Sequence, residues 1–239
     1  MLSLLFPSSY PFLTKPTSTS ASFQEELVEI AAVLAELANL PGALQLYMDR
    51  VDSTVFLLNA LHVYISILDH EPYPETWLSV HIYHHKATMR SLEKLSNTLI
   101  ESFLPSPDEA DQFNTELWRA FFDVLLRLVG SPALALETFP EQKRRAVWKI
   151  AGDVREQGAE LLHRTWEVIG WETGPDEKQL YGLERMGGFQ VQYVPGLVAP
   201  IVELCLSVHE GLRSVATEIL QTMIASEWTL SQDLSLIHI

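Results

Sequence analysis

The densest group of residues able to do chemistry is the pentapeptide His81-Ile82-Tyr83-His84-His85. On a helix, His81 and His85 at i and i+4 project from one face, a spacing with which two imidazoles can grip a metal ion. Hydrolytic metal helices of that type also place a glutamate directly after the first histidine as general base, and here that place is Ile82. A metal reading would also need a further ligand, for which Glu75 is the candidate. The plainer reading is a partly buried or solvated histidine cluster. We therefore expect no metal, no cofactor and no catalytic residue. Cys205, the single cysteine, lies in an apolar stretch with neither a CxxC partner nor an adjacent basic residue, the setting of an inert core thiol. Lys143-Arg144-Arg145 could dock an acidic partner, though a solvated stripe on a long helix is the simpler account. Trp77, Trp118, Trp148 and Trp166 fall within helical patterns as core or inter-helix packing residues. Glycine-rich phosphate loops, a Gly-x-Ser-x-Gly elbow and paired-cysteine metal spacings do not occur in the sequence.

The elements that must position these residues are helices. Ser22 and Glu25 form a capping box, followed by Leu27, Ile30, Ala31, Leu34, Leu37 and Ala38 at helical spacing and a stop at Pro41-Gly42. A second helix runs from near Ser53 to Leu68, apolar nearly all round, so neighbours must wrap it. Pro72 and Pro74 break the chain, and a long helix then carries Trp77, Val80, His84, Ala87, Leu95, Leu99 and Phe103 to Pro105. Ser106-Pro107-Asp108-Glu109 is a start signal for a helix with the stripe Phe113, Leu117, Phe121, Val124, Leu125 and Leu128, ended by Gly130. After a short turn at Ser131-Pro132, the longest helix is expected from Thr138 and Pro140 to Gly170. Loop signals fill Trp171 to Gly188, and Phe189 to Val194 comes nearest to a strand. Pro195 opens an apolar helix through Cys205 that Pro200 should kink or reset, and the last helix carries Leu212 to Ile224.

The fold class is thus all-α. Short Pro/Gly turns between helices of unequal length imply antiparallel pairs, and their number exceeds a four-helix bundle. An armadillo- or TPR-like α-solenoid is the natural architecture, although no repeat recurs at a fixed period. Residues 22–230 form this helical region. Residues 1–21, with a Ser/Thr-rich tract, read as a disordered tail, and 231–239 as a linker ending in Leu234–Ile239, which matches the translation of a sequencing adapter and is expected to be an artefact.

Composition narrows the partners. With 239 residues, 47% of them hydrophobic, the chain can bury a substantial core. Its formal charge of −15 repels phosphate backbones and anionic headgroups, so neither nucleic acid nor direct membrane binding is expected. The longest apolar segment, Val55 to Leu68, is shorter than the roughly 20 residues a bilayer crossing needs. A lone cysteine excludes an intramolecular disulfide framework, and a cytoplasmic location fits best.

Three long runs resemble one family. ELWRAFFDVLLRLVGSPALALETFPEQKRRAVWKIAGDVREQGAELLHRTWEVIGW (Glu116 to Trp171), HIYHHKATMRSLEKLSNTLIESFLP (His81 to Pro105) and YVPGLVAPIVELCLSVHEGLRSVATEILQTMI (Tyr193 to Ile224) are similar to the helical region of the dedicator-of-cytokinesis (DOCK) guanine nucleotide exchange factors, nearest to fungal members. The resemblance covers most of residues 45 to 228, in the family's order. It implies a helical repeat segment between a C2-like lipid-binding domain and a catalytic exchange domain in an activator of Rho-family GTPases such as Rac or Cdc42. No position here matches the family's nucleotide-sensing loop, so no catalytic residue carries over. The implied role is a non-enzymatic scaffold whose partners are the flanking domains of the parent protein. The GTPase would be reached only through the exchange domain, and the parent would be recruited to membranes. A face left for a missing helical layer is expected on the pair Leu197–Cys205 and Glu210–Ile224, with self-association into homo-oligomers as its consequence. Two other readings stay open: a free-standing helical adaptor, and a metal-binding helical protein using His81 and His85.

Overall fold

The computed structural model describes residues 25–40, 53–70 and 77–231. The expected tail, the Ser22 cap, the Pro41-Gly42 stop, the Pro72 and Pro74 break, Glu75 and the run Leu234–Ile239 lie outside the described residues. The fold is all-α: α1 (Glu25–Asn39), α2 (Ser53–His70), α3 (Leu78–Ser102), α4 (Thr115–Gly130), α5 (Glu141–Ala151), α6 (Val154–Val168), α7 (Pro175–Tyr181), α8 (Val194–Cys205) and α9 (Glu210–Ser231). One antiparallel ladder, β1 (Trp171–Glu172) with β2 (Arg185–Met186), flanks α7. The described residues fall into two compact units, those of 25–95 with 116–154, and 96–115 with 155–231.

In the first unit, α4 is the most deeply covered element. Leu117, Trp118, Ala120, Phe121, Phe122, Val124, Leu125, Leu126, Leu128 and Val129 are all buried, and the rings of Trp118, Phe121 and Phe122 meet within 6.3 Å of one another. Truncating a fully buried ring of this kind costs about 3–5 kcal/mol. The all-round apolarity of α2 is matched by its cover, since only Val55 and Asp69 of that helix are exposed. Polar ties link the elements: Tyr64 Oη donates to Ser91 Oγ (2.8 Å), Lys86 Nζ to the Ile150 carbonyl (2.9 Å), and Arg127 pairs with Asp69.

In the second unit, α8 packs on α9 through Leu197, Val198, Ile201 and Leu204. Phe113 stacks on Phe189 with centroids 4.0 Å apart, and Tyr193 Oη donates to the Thr115 carbonyl (3.1 Å). The imidazole of His209 caps α9, its Nδ1 accepting the Leu212 N–H at 3.1 Å.

Several sequence expectations are corrected. The helix expected over 138–170 is two helices, because Gly152 adopts φ +69°, ψ −145° and turns the chain between α5 and α6. Among the described residues the longest helix is instead α3, with 25 residues. Ser106–Gln112 does not open α4: Pro107–Gln112 is a separate 3₁₀ turn, and Phe113 leaves the helical stripe to stack on Phe189. The strand-like Phe189 to Val194 run is a 3₁₀ turn over Gly188–Tyr193 that leads into α8, and the short ladder lies in the segment read as loop. Pro200 does not reset α8, which runs from Val194 to Cys205 with the proline inside it. The last helix continues beyond Ile224 to Ser231. Trp118 and Trp166 are core residues, but Trp77 and Trp148 are about half exposed; Trp77 precedes the first turn of α3, and α5 buries only Val147 and Ala151. Leu206, Val208, Ile224 and Trp228 remain exposed on or beside α8 and α9.

The backbone at Gly152 predicts a sign contrast. Gly152→Ala forces a side chain into a region essentially reserved for glycine and is expected to destabilise by about 1–3 kcal/mol. Gly130→Ala, in the last turn of α4 with open space around its Cα, should be neutral or stabilising by up to about 1 kcal/mol. Urea unfolding of the two variants checks this, and equal effects would contradict it.

Candidate functional site

The histidines singled out by their spacing lie on α3 and are buried: His81, His84 and His85 are all under a tenth exposed. The helical period brings His85 over the preceding turn, where its Nδ1 hydrogen-bonds the His81 carbonyl at 2.6 Å; its Nε2 meets Ser131 Oγ at 2.8 Å. Both ring nitrogens of His85 are therefore engaged by protein oxygens, and a metal would have to displace one of them. Among the described residues no three His, Cys, Asp or Glu side chains gather in a way that could hold a metal ion. Burial drives the His84 pKa down to about 3, helped by the neighbouring His85 and His81. Burial likewise lowers His85 to about 4, against the opposing pull of the His81 carbonyl. Both rings stay neutral at physiological pH, too weakly basic to act as general bases there.

The other sequence candidates are dispersed. Cys205 is only partly buried near the end of α8, which corrects the expectation of a core thiol. Lys143, Arg144 and Arg145 are exposed on α5; Lys143 Nζ sits 4.5 Å from the centre of the Phe139 ring, and Arg145 pairs with Glu141 one turn earlier.

The second unit contains a cleft that no local spacing announced. It encloses about 260 Å³ between α6, the Gly182–Arg185 segment and α9. Its floor is a directed hydrogen-bond chain: Gln190 Nε2 donates to the Trp166 carbonyl (2.8 Å), Trp166 Nε1 to Thr222 Oγ1 (2.7 Å), and Thr222 Oγ1 to the Ile219 carbonyl (2.7 Å). Gly170 lets Gln190 approach, since a Cβ there would stand 2.6 Å from Gln190 Nε2. At the far end of the chain Gln190 Oε1 is buried without a hydrogen bond, and Gln190 is 1% exposed. A buried acceptor left in that state costs about 1–3 kcal/mol. Glu167, Glu184 and Glu218 line the same space, with Arg185 as the guanidinium among them. His163 Nε2 lies 3.1 Å from Glu218 Oε1, and Lys178 Nζ 2.6 Å from Glu184 Oε1. The only sequence signal for this cleft was a polar residue inside an apolar stripe, Thr222 between Ile219 and Met223, with Gln190 hidden in the alternating run around it.

The buried imidazoles generate a pH dependence. Both take up protons less readily folded than unfolded, where the pKa is about 6.5, so below that pH the unfolded chain binds protons the native one refuses. Stability present above pH 6.5 is lost as pH falls towards 4 and then 3, with a slope of up to about 1.4 kcal/mol per pH unit for each ring. Urea midpoints measured from pH 7 to 5 should fall, and His84→Leu should flatten the slope even if it lowers the midpoint throughout. An equally steep profile in the variant would mean that His84 titrates normally.

Comparison with known proteins gives a consistent assignment. The family described as the dedicator of cytokinesis (DOCK) TPR region matches residues 39–238. Mouse dedicator of cytokinesis protein 3 is 21% identical over 168 residues, covering 70% of this chain and 7% of that protein, and the human protein of the same name matches to the same extent. Mouse dedicator of cytokinesis protein 4 is 21% identical over 234 residues, 93% of this chain and 11% of that protein. The chain thus spans about a tenth or less of the length of these relatives. No solved structure matches it. With an all-α architecture and a family match over most of its length, the chain belongs to the dedicator of cytokinesis TPR-region family.

Proposed function

We propose that the chain is a non-catalytic helical scaffold segment of a larger dedicator-of-cytokinesis protein, an activator of Rho-family GTPases such as Rac or Cdc42. It spaces a lipid-binding domain from an exchange domain in the same cytoplasmic polypeptide, and the parent protein's own recruitment brings it to membranes. The observation that carries this reading is the family match over residues 39–238. Three physical features support it. Within each unit the helices are held by closely packed aromatic and aliphatic stripes, as a structural spacer requires. The buried histidines are held neutral, away from the pKa a general base needs near neutral pH. The exposed Leu206, Val208 and Trp228 give the end of the second unit apolar surface for flanking domains or a second copy. Among the described residues no helix is long and apolar enough to cross a membrane.

Two measurements test the proposal. The transcript carrying this chain is expected to continue in frame into an exchange domain; a stop codon after the helical region would favour a free-standing adaptor. Release of a fluorescent guanine nucleotide from Rac- or Cdc42-type GTPases should proceed at the intrinsic rate in the presence of the chain. Catalytic acceleration at substoichiometric chain would overturn the non-catalytic assignment.

A further inference from the structure

A serine or threonine stands directly before proline at two places in the sequence, Ser106-Pro107 and Ser131-Pro132. The two share a local backbone. Each serine lies close to polyproline II, with φ −64°, ψ 157° at Ser106 and φ −59°, ψ 129° at Ser131, and each proline opens a 3₁₀ turn. Their surroundings differ. Ser131 Oγ lies 2.8 Å from Nε2 of the buried His85, and the residue directly follows the last turn of α4, whose carbonyl end disfavours added negative charge. Ser106 is exposed, its hydroxyl makes no cap hydrogen bond, and no residue from Glu101 to Gln112 is buried. The turn that follows it, Pro107–Gln112, is already interrupted at Glu109, whose φ of −115° and ψ of 32° are not helical. Such a segment opens at little cost, because its hydrogen bonds are exposed and it has no buried side chain to lose.

We propose that Ser106 is a phosphorylation site for a proline-directed serine/threonine protein kinase. A proline after the acceptor suits an apolar kinase subsite, since it brings no N–H that would be left unbonded there. Leu104, Pro105 and Ser106 lie outside any helix, and Pro105 and Pro107 keep Leu104 and Ser106 away from helical angles. The chain leading to the hydroxyl is therefore already extended, as an active-site cleft requires. In the reaction Ser106 Oγ attacks the γ-phosphorus of magnesium-bound ATP. The Oγ–P bond forms, the bond from that phosphorus to the β,γ-bridging oxygen breaks, ADP leaves, and the hydroxyl proton passes to the kinase's carboxylate base. The product adds a charge of about −1.5 to −2 at pH 7 to a turn that already exposes Asp108, Glu109 and Asp111. Ser131 is the contrast within the same chain: its hydroxyl would first have to leave His85, and its phosphate would then face the end of α4. The site goes beyond the scaffold reading and does not depend on it.

The test incubates the full chain with magnesium and ATP and, in separate reactions, a mitogen-activated and a cyclin-dependent protein kinase as members of the proline-directed class. Intact mass follows the phosphate, and fragmentation of proteolytic peptides locates it. At least one of the two kinases is expected to phosphorylate Ser106, with Ser131 modified about tenfold or more slowly, the rate equivalent of the hydrogen bond it must give up. Ser106→Ala should remove the incorporation and Ser131→Ala should leave it. Mapping on the unsubstituted chain reads the two serines side by side in one folded molecule, so the result does not hang on either variant. An unchanged urea midpoint in Ser106→Ala ties its loss of phosphate to the missing hydroxyl. No incorporation by either kinase, equal modification of the two serines, or undiminished incorporation in Ser106→Ala would overturn the proposal.

Discussion

A helix that is apolar on more than one side persists in water only under neighbours, and that requirement organises both units. In the first, α4 carries ten buried side chains, too many for a single stripe, and it is stable only because other helices close over it. In the second, α8 has the same need and meets it on α9. The polar ties follow from this burial. Once helices pack over such faces, the polar groups carried inward must find partners, and Tyr64 with Ser91, His85 with Ser131 and Trp166 with Thr222 are those pairings. Each is worth little as a net stabiliser, but its loss would leave a buried group unbound.

The same requirement explains how a family can persist at 21% identity. A core filled by Leu, Val, Ile and Phe tolerates volume-conserving exchange among them, provided that the period and the total volume are kept. What is retained is where helices start, which face turns inward and where prolines and glycines stop them. Such a pattern specifies a scaffold well and says little about ligands, so function has to be argued from sites and surfaces.

Helix existence was legible wherever a proline or glycine turn interrupted the period, as at Pro105 and at Gly130 with Pro132. It failed where the period ran on through a break. Val147, Ala151 and Val154 keep helical spacing across Gly152, so nothing in the pattern separates a tolerated helical glycine from one at positive φ. Phe113 misled in the same way, its spacing to Leu117 placing it on α4 while its ring pairs with Phe189, 76 positions later. The ladder at Trp171 and Arg185 has two residues a side, too few to show an alternation. The histidine cluster was visible and its burial foreseeable, but the engagement of His85 by Ser131 depends on a contact across 46 residues.

The cleft was illegible for a related reason: its floor and walls come from α6, from the segment after α7, from the turn before α8 and from α9, four stretches that no local spacing joins. Its chemistry also differs in kind from the acidity of the whole chain. A net charge of −15 spread over the surface draws cations from a distance and is screened within about 10 Å at 0.1 M salt, so it steers without selecting. Gln190 Oε1 is neutral and buried, and exerts no such pull. It carries the cost of a buried acceptor without presenting a surface from which a donor could reach it.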